Sequence, residues 1–119
     1  MTFRVEVVHD LIYACPTGHL TPDHLTDLDH RTWTCRNCRQ SVFITMGTAQ
    51  GQRYTVERVP AQNVRLGDYL VCRIHADHAA LQVTHSAEHT TKPGYRYLRI
   101  EAHGPLSVTR AQYLNCIRG

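Results

Sequence analysis

The sequence predicts a small all-β protein, and three observations carry that expectation. Short stretches with an apolar residue at every second position recur along most of the 119 residues, the period of a half-buried strand. Clusters of Gly, Pro, Asn and Asp separate them at intervals of about 8–12 residues, as in small barrels and sandwiches. The third observation is a metal-ligand spacing, Cys15-x3-His19 and then Cys35-x2-Cys38. Such a spacing suits a segment too short to bury a core of its own.

Taken in order, Phe3-Arg4-Val5-Glu6-Val7 alternates and reads as a first strand, continued by Leu11-Ile12-Tyr13-Ala14 into Cys15. Pro16 and Gly18 suit a turn folded around an ion. Leu20 to His30 is polar and carries Asp23, Asp27 and Asp29; Thr21-Pro22-Asp23 allows one helical turn at most. Thr32-Trp33-Thr34 steps into the second chelating turn, and Trp33, the sole Trp, is expected against the metal. Ser41-Val42-Phe43-Ile44-Thr45-Met46 leaves as a third strand. His19 is the expected fourth ligand because it shares a tight turn with Cys15, with His24 and His30 as alternatives in the same loop. Two other readings stand beside this one: a Cys35/Cys38 redox pair, which wants a βαβ context, and unrelated buried thiols. The arrangement resembles a zinc ribbon over residues 1–46. The resemblance implies one structural Zn²⁺ on Cys15, His19, Cys35 and Cys38, a closed N/S set with no open position for a substrate or an activated water.

Gly47-Thr48-Ala49-Gln50-Gly51 is the clearest internal boundary, short enough to join two strands or two domains. The expected division is a ribbon module at 1–46 and a small β-barrel at 52–119, or one continuous domain. Tyr54 to Val59 alternates until Pro60, and Gly67-Asp68 turns the chain into Tyr69-Leu70-Val71-Cys72-Arg73-Ile74. Ala76-Asp77-His78 is expected to turn and Ala80 to Thr84 to run back. A polar tip ending in Lys92-Pro93-Gly94 leads into Tyr95 to Glu101. His103-Gly104-Pro105 turns into Leu106-Ser107-Val108, and Ala111 to Ile117 closes the chain. The phrase from Val59 to Leu70, with its Gly67-Asp68 turn, resembles the entry of SH3-like barrels and of the Hint (intein-type) fold. That resemblance implies an SH3-like barrel for the second part.

Four constellations bear on chemistry. His85-Ser86-Ala87-Glu88-His89 matches the H-x-x-E-H of inverted zinc proteases. That chemistry needs a helix and a third ligand, and a solvated hairpin tip is expected instead. Cys72, His75 and His78 form a C-x2-H-x2-H run, but on a strand Cys72 and His75 point to opposite faces. Asn115-Cys116 is similar to an intein end, yet Leu114 stands where the assisting His is needed. In the stretch Lys92 to Arg99, Tyr95, Tyr97 and Arg99 share one strand face, and Arg96 and Leu98 the other. The first face either stacks bases and holds phosphates or covers the core.

The net charge of +3 is uneven: four Arg face five acids up to residue 51, and nine basic residues face five acids beyond it. Lys92 is the only Lys; an Arg bias suits bidentate phosphate recognition. There is no secretory leader pattern and no run near the length of a membrane span, so a cytoplasmic location and no membrane partner are expected. The expected function is non-enzymatic: a zinc-binding protein associated with nucleic acid, DNA or RNA, or with regulation, as the ribbon resemblance implies. Lys92, Tyr95, Arg96, Tyr97 and Arg99 are the candidate nucleic-acid contacts, and no catalytic residue is assigned. The alternative is a protein-interaction adaptor or phage-type accessory protein using the acidic Asp23–Asp29 loop or a barrel edge. A metal-dependent hydrolase at the H-x-x-E-H run ranks third.

Overall fold

The computed structural model of the chain describes residues 1–18 and 27–119. Within them the fold is all-β, and no helix reaches seven residues. The strands are β1 (Asp10–Ala14), β2 (Leu28–Asp29), β3 (Thr34–Cys35), β4 (Phe43–Gly47), β5 (Arg53–Pro60), β6 (Tyr69–Ile74), β7 (Asp77–Glu88), β8 (Tyr95–Ile100), β9 (Gly104–Thr109) and β10 (Tyr113–Ile117). Eight form one open antiparallel sheet in the order β1-β4-β5-β10-β6-β7-β8-β9, and β2 and β3 pair separately. From β6 to β9 the chain meanders; β10 then returns to lie between β5 and β6.

The middle of the sheet is covered on both sides, which explains the near-continuous apolar runs there. On β6, Leu70 and Cys72 face one core while Val71 faces the other. On β10, Leu114 and Cys116 enter the first core, whereas Tyr113 and Ile117 pack against the second. The first core also takes Val59, Val83, Leu98 and Ile100; the second takes Cys15, Trp33, Cys35, Ile44, Met46 and Val56. Residues from both sides of the Gly47–Gly51 turn therefore build the second core. That turn joins β4 to β5 as a hairpin.

Three sequence expectations need correction. The alternating Phe3–Val7 segment is not a regular strand: it makes single bridges at Thr2 and Arg4 and then a 3-10 turn at Val7–His9, so β1 begins at Asp10. Phe3 packs into the first core and Val5 against the second, so the segment crosses between the two rather than lying on one face. The expected turn at Ala76–His78 is shorter, because Asp77 and His78 already pair with Ile74 and Arg73. The expected polar tip begins later too, since β7 runs on through Glu88. The expected single turn at Thr21–Asp23 lies outside the described residues.

Asp68 closes the turn into β6. Its carboxylate accepts the Arg65 amide at 2.9 Å, the Gly119 amide at 3.1 Å and Arg118 Nη1 at 2.7 Å. Burial raises its pKa, but those three donors outweigh burial and hold it below the ordinary 3.8. A carboxylate depressed in the fold contributes stability that is complete above its unfolded pKa and is lost as pH falls through the folded one. Chemical denaturation is thus expected to show an acid limb below about pH 4. Asp68→Asn should lower stability at pH 7 and flatten that limb. An unchanged limb in the variant would remove Asp68 from this role.

Candidate functional site

The sulfurs of Cys15, Cys35 and Cys38 converge from separate elements, all within 4.8 Å of one another. Cys15 follows β1, Cys35 ends β3, and Cys38 closes the turn after it. Cys15 Sγ and Cys38 Sγ are 3.4 Å apart. A tetrahedral ion with metal–sulfur bonds of about 2.3 Å sets its sulfurs about 3.8 Å apart, so the group could hold a metal ion with little adjustment. Local backbone geometry builds the turns. The Gly18 amide donates to the Cys15 carbonyl at 3.0 Å with Gly18 at φ +83°, and the Arg39 amide donates to the Cys35 carbonyl at 2.8 Å.

Electrostatics at Cys35 pull both ways. Burial, with the neighbouring Cys15 and Cys38 thiols, holds the thiol pKa above its ordinary value and outweighs the amides of Cys38 and Asn37, which are aimed at its sulfur and favour the thiolate. Thr17, which the spacing did not single out, places Oγ1 3.2 Å from Cys15 Sγ and 3.5 Å from Cys38 Sγ. The expected ligand His19 and its alternative His24 lie outside the described residues. His30 is described: it is exposed, with its ring edge-on to Trp33 at 5.5 Å, outside the three-sulfur group.

Trp33 links this cluster to the sheet. It sits at φ +56°, an uncommon conformation for a bulky residue. Its amide donates to the Asp29 carbonyl at 2.7 Å and its carbonyl accepts from Val42 at 3.0 Å. One ring face lies 4.3 Å from the Arg58 guanidinium carbon. Arg58 is 1% exposed; it grips both oxygens of Asp10 and donates through Nε to Asn115 Oδ1 at 2.8 Å. Tyr13 also donates to Asp10, and burial together with that carboxylate pushes the phenol up to about 12. The sequence did not single out this buried network, although the two-residue period places Arg58 on the same strand face as the buried Val56.

The second candidate surface is the outer face of β7, β8 and β9. Leu98 and Ile100 are buried in the first core, so Tyr95, Tyr97 and Arg99 point the other way. Lys92 Nζ stands 4.5 Å over the Tyr95 ring, joining the same end of this face. Arg96 is set apart from these four, on the side of Leu98, where Nη2 donates to Ser86 Oγ at 2.9 Å. Neighbouring strands contribute His85 and Ala87, paired with Arg99 and Tyr97, and the exposed Pro105, Ser107 and Thr109.

The remaining constellations do not assemble. His85 to Glu88 is strand, so the helical spacing of the H-x-x-E-H motif is absent, and among the described residues the three thiols form the only compact ligand group. Cys72 is buried in the first core while His75 is exposed in a turn at φ +57°. Asn115 is committed to Arg58, and burial followed by the Asp68 charge pushes the Cys116 thiol up to about 12, an unreactive state. Among the described residues no helix is long and apolar enough to cross a membrane. Compared with protein-family models, curated proteins and solved structures, the chain shows no match.

Proposed function

We propose that this protein is a non-enzymatic, zinc-binding module that binds single-stranded nucleic acid, DNA or RNA, on the outer face of β8. The observation that carries the reading is the outward row Tyr95, Tyr97 and Arg99, with Lys92 at one end. Aromatic rings spaced two residues apart on a strand stack bases, and the interleaved cations hold phosphates. Zn²⁺ on Cys15, Cys35 and Cys38, with a fourth ligand from the 19–30 loop, serves as a structural cross-link; when bound, it would tie the end of β1 to the short β3 beside the second core. A zinc ribbon joined to an SH3-like barrel accounts for this division of labour. The return of β10 beside the first strand of a four-strand meander favours the barrel reading.

Binding of fluorescent single-stranded oligonucleotides tests the proposal. Affinity is expected to fall steeply with salt, and Arg99→Ala should reduce the log–log salt slope by about 0.7, one phosphate contact on a single strand. Arg96→Ala, on the other face, should leave that slope unchanged. Absent or salt-insensitive binding would eliminate the reading. The protein-interaction alternative is favoured by the edge strand β1 and the turn before it, which leave Val7, Val8, Leu11 and Ile12 exposed; it would then be the reading to pursue.

A further inference from the structure

A β-bulge decides which side chains reach the outer face. In β7, Val83 pairs with Ile100 and is fully buried, and the register then slips by one residue so that His85 pairs with Arg99. Without the slip His85 would share the inward face of Val83; with it, Ser86 turns inward and His85 and Ala87 turn outward. Ser86 confirms the inversion, donating to the Val64 carbonyl at 2.6 Å beneath the sheet.

The result is a recess with Ala87 as its floor. Ala87 lies directly across from Tyr97, and its methyl is the smallest side chain on this part of the face. His85 and His89 stand on either side, both edge-on to Tyr97, with ring centroids at 5.9 Å and 6.2 Å and interplanar angles of 65° and 77°. Those distances keep the two imidazole centroids within about 12 Å of each other. Once the imidazoles themselves are allowed for, that leaves the length of one planar heterocycle. His89 is oriented: its Nδ1 accepts from the Lys92 and Thr91 amides at 3.2 Å and 3.3 Å, so its neutral ring carries the proton on Nε2 and offers a donor there. Glu88 and Thr90 border the recess, and Arg99 and Lys92 supply positive charge at opposite ends.

We infer that this recess is a nucleobase slot: one base of a single strand lies over Ala87 against Tyr97, its polar edges met by His85 and His89, while Lys92 and Arg99 hold the flanking phosphates. The inference rests on the nucleic-acid reading above and deepens it, because phosphate contacts alone would not need a slot. It also gives the H-x-x-E-H run a use that requires no metal.

The test compares two labelled probes, an eight-nucleotide thymidine strand and an abasic strand with the same number of phosphates. The native protein should prefer the thymidine strand, by about 5- to 150-fold for each stacked base. Ala87→Ile fills the recess with a residue that strands accept, and should remove the contribution of one stacked base, about 5-fold or more, from that preference without changing the salt slope. Ala87→Ser, which adds little bulk, should keep the preference and serves as the folded control if the Ile variant is unstable. Equal binding of both probes by the native protein overturns the slot and, with it, base stacking on Tyr95 and Tyr97, leaving phosphate contacts alone. A folded Ala87→Ile variant that retains the full preference also overturns the slot. Failure of the native protein to bind either probe removes both.

Discussion

Cys35→Ser is expected to release the metal and unravel the packing around Trp33. Cys35 is the fully buried member of the sulfur trio, held by Asn37 and Cys38 amides that a serine hydroxyl would meet without a metal bond. Structural zinc in small modules contributes apparent free energies on the order of 10–16 kcal/mol, whereas a whole domain has a net stability of only about 5–15 kcal/mol. Losing a ligand therefore threatens the entire N-terminal half. Trp33 is the sole tryptophan and belongs to the same core, so its emission reports the event directly. Native mass spectrometry should lose the mass of one ion as the emission shifts to the red, and chelation of the native protein should reproduce both changes. Cys72→Ser, in the other core, should keep the ion. A Cys35→Ser protein that retains ion and emission would dismiss the metal centre.

Arg58→Ala should cost about 3–5 kcal/mol, because it leaves the Asp10 carboxylate buried without its cation. The measurement is urea denaturation at neutral pH. Lysine should rescue poorly, since one ammonium cannot span both Asp10 oxygens and Asn115 while lying against the Trp33 ring. Replacing both charges, with Asp10→Leu and Arg58→Met, should cost less than Arg58→Ala alone, the signature of a pair whose loss hurts mainly through the orphaned partner. A midpoint for Arg58→Ala within experimental error of the native value would show that water reaches Asp10 and that the network is not a structural clamp.

Much of the sheet was legible because local pattern and tertiary role agree. Tyr69 to Ile74 and Tyr95 to Ile100 are strands where period and flanking Gly/Pro placed them. The three thiols were legible because chelate spacing is a local property of the chain. What escaped the sequence depends on partners far along it. The pairing of Leu28 with Cys35 makes β2 from a loop that looks polar. Arg58 is buried because Asp10 lies 48 residues away. The bulge at Val83–His85 inverts a face, and a strictly two-residue period carries no mark of it. The surface that Tyr97 shares with His85 and Ala87 was hidden for the same reason.

The doubly covered strands at the centre of the sheet have a consequence for descent. Val56, Val71, Tyr113 and Ile117 help enclose the cysteine cluster, while Val59, Leu70, Leu114 and Cys116 on the same three strands build the opposite layer. A gene break between residues 47 and 51 would leave each fragment with half of a shared wall. Recombination could not carry the cysteine-bearing segment to a new host as a ready-made cassette; it would have to find there a sheet already shaped to receive it. Lineages of this protein should therefore vary at β9 and its flanking turns, where one side is open, and inherit the stretch from β4 through β6 together with β10 as a block.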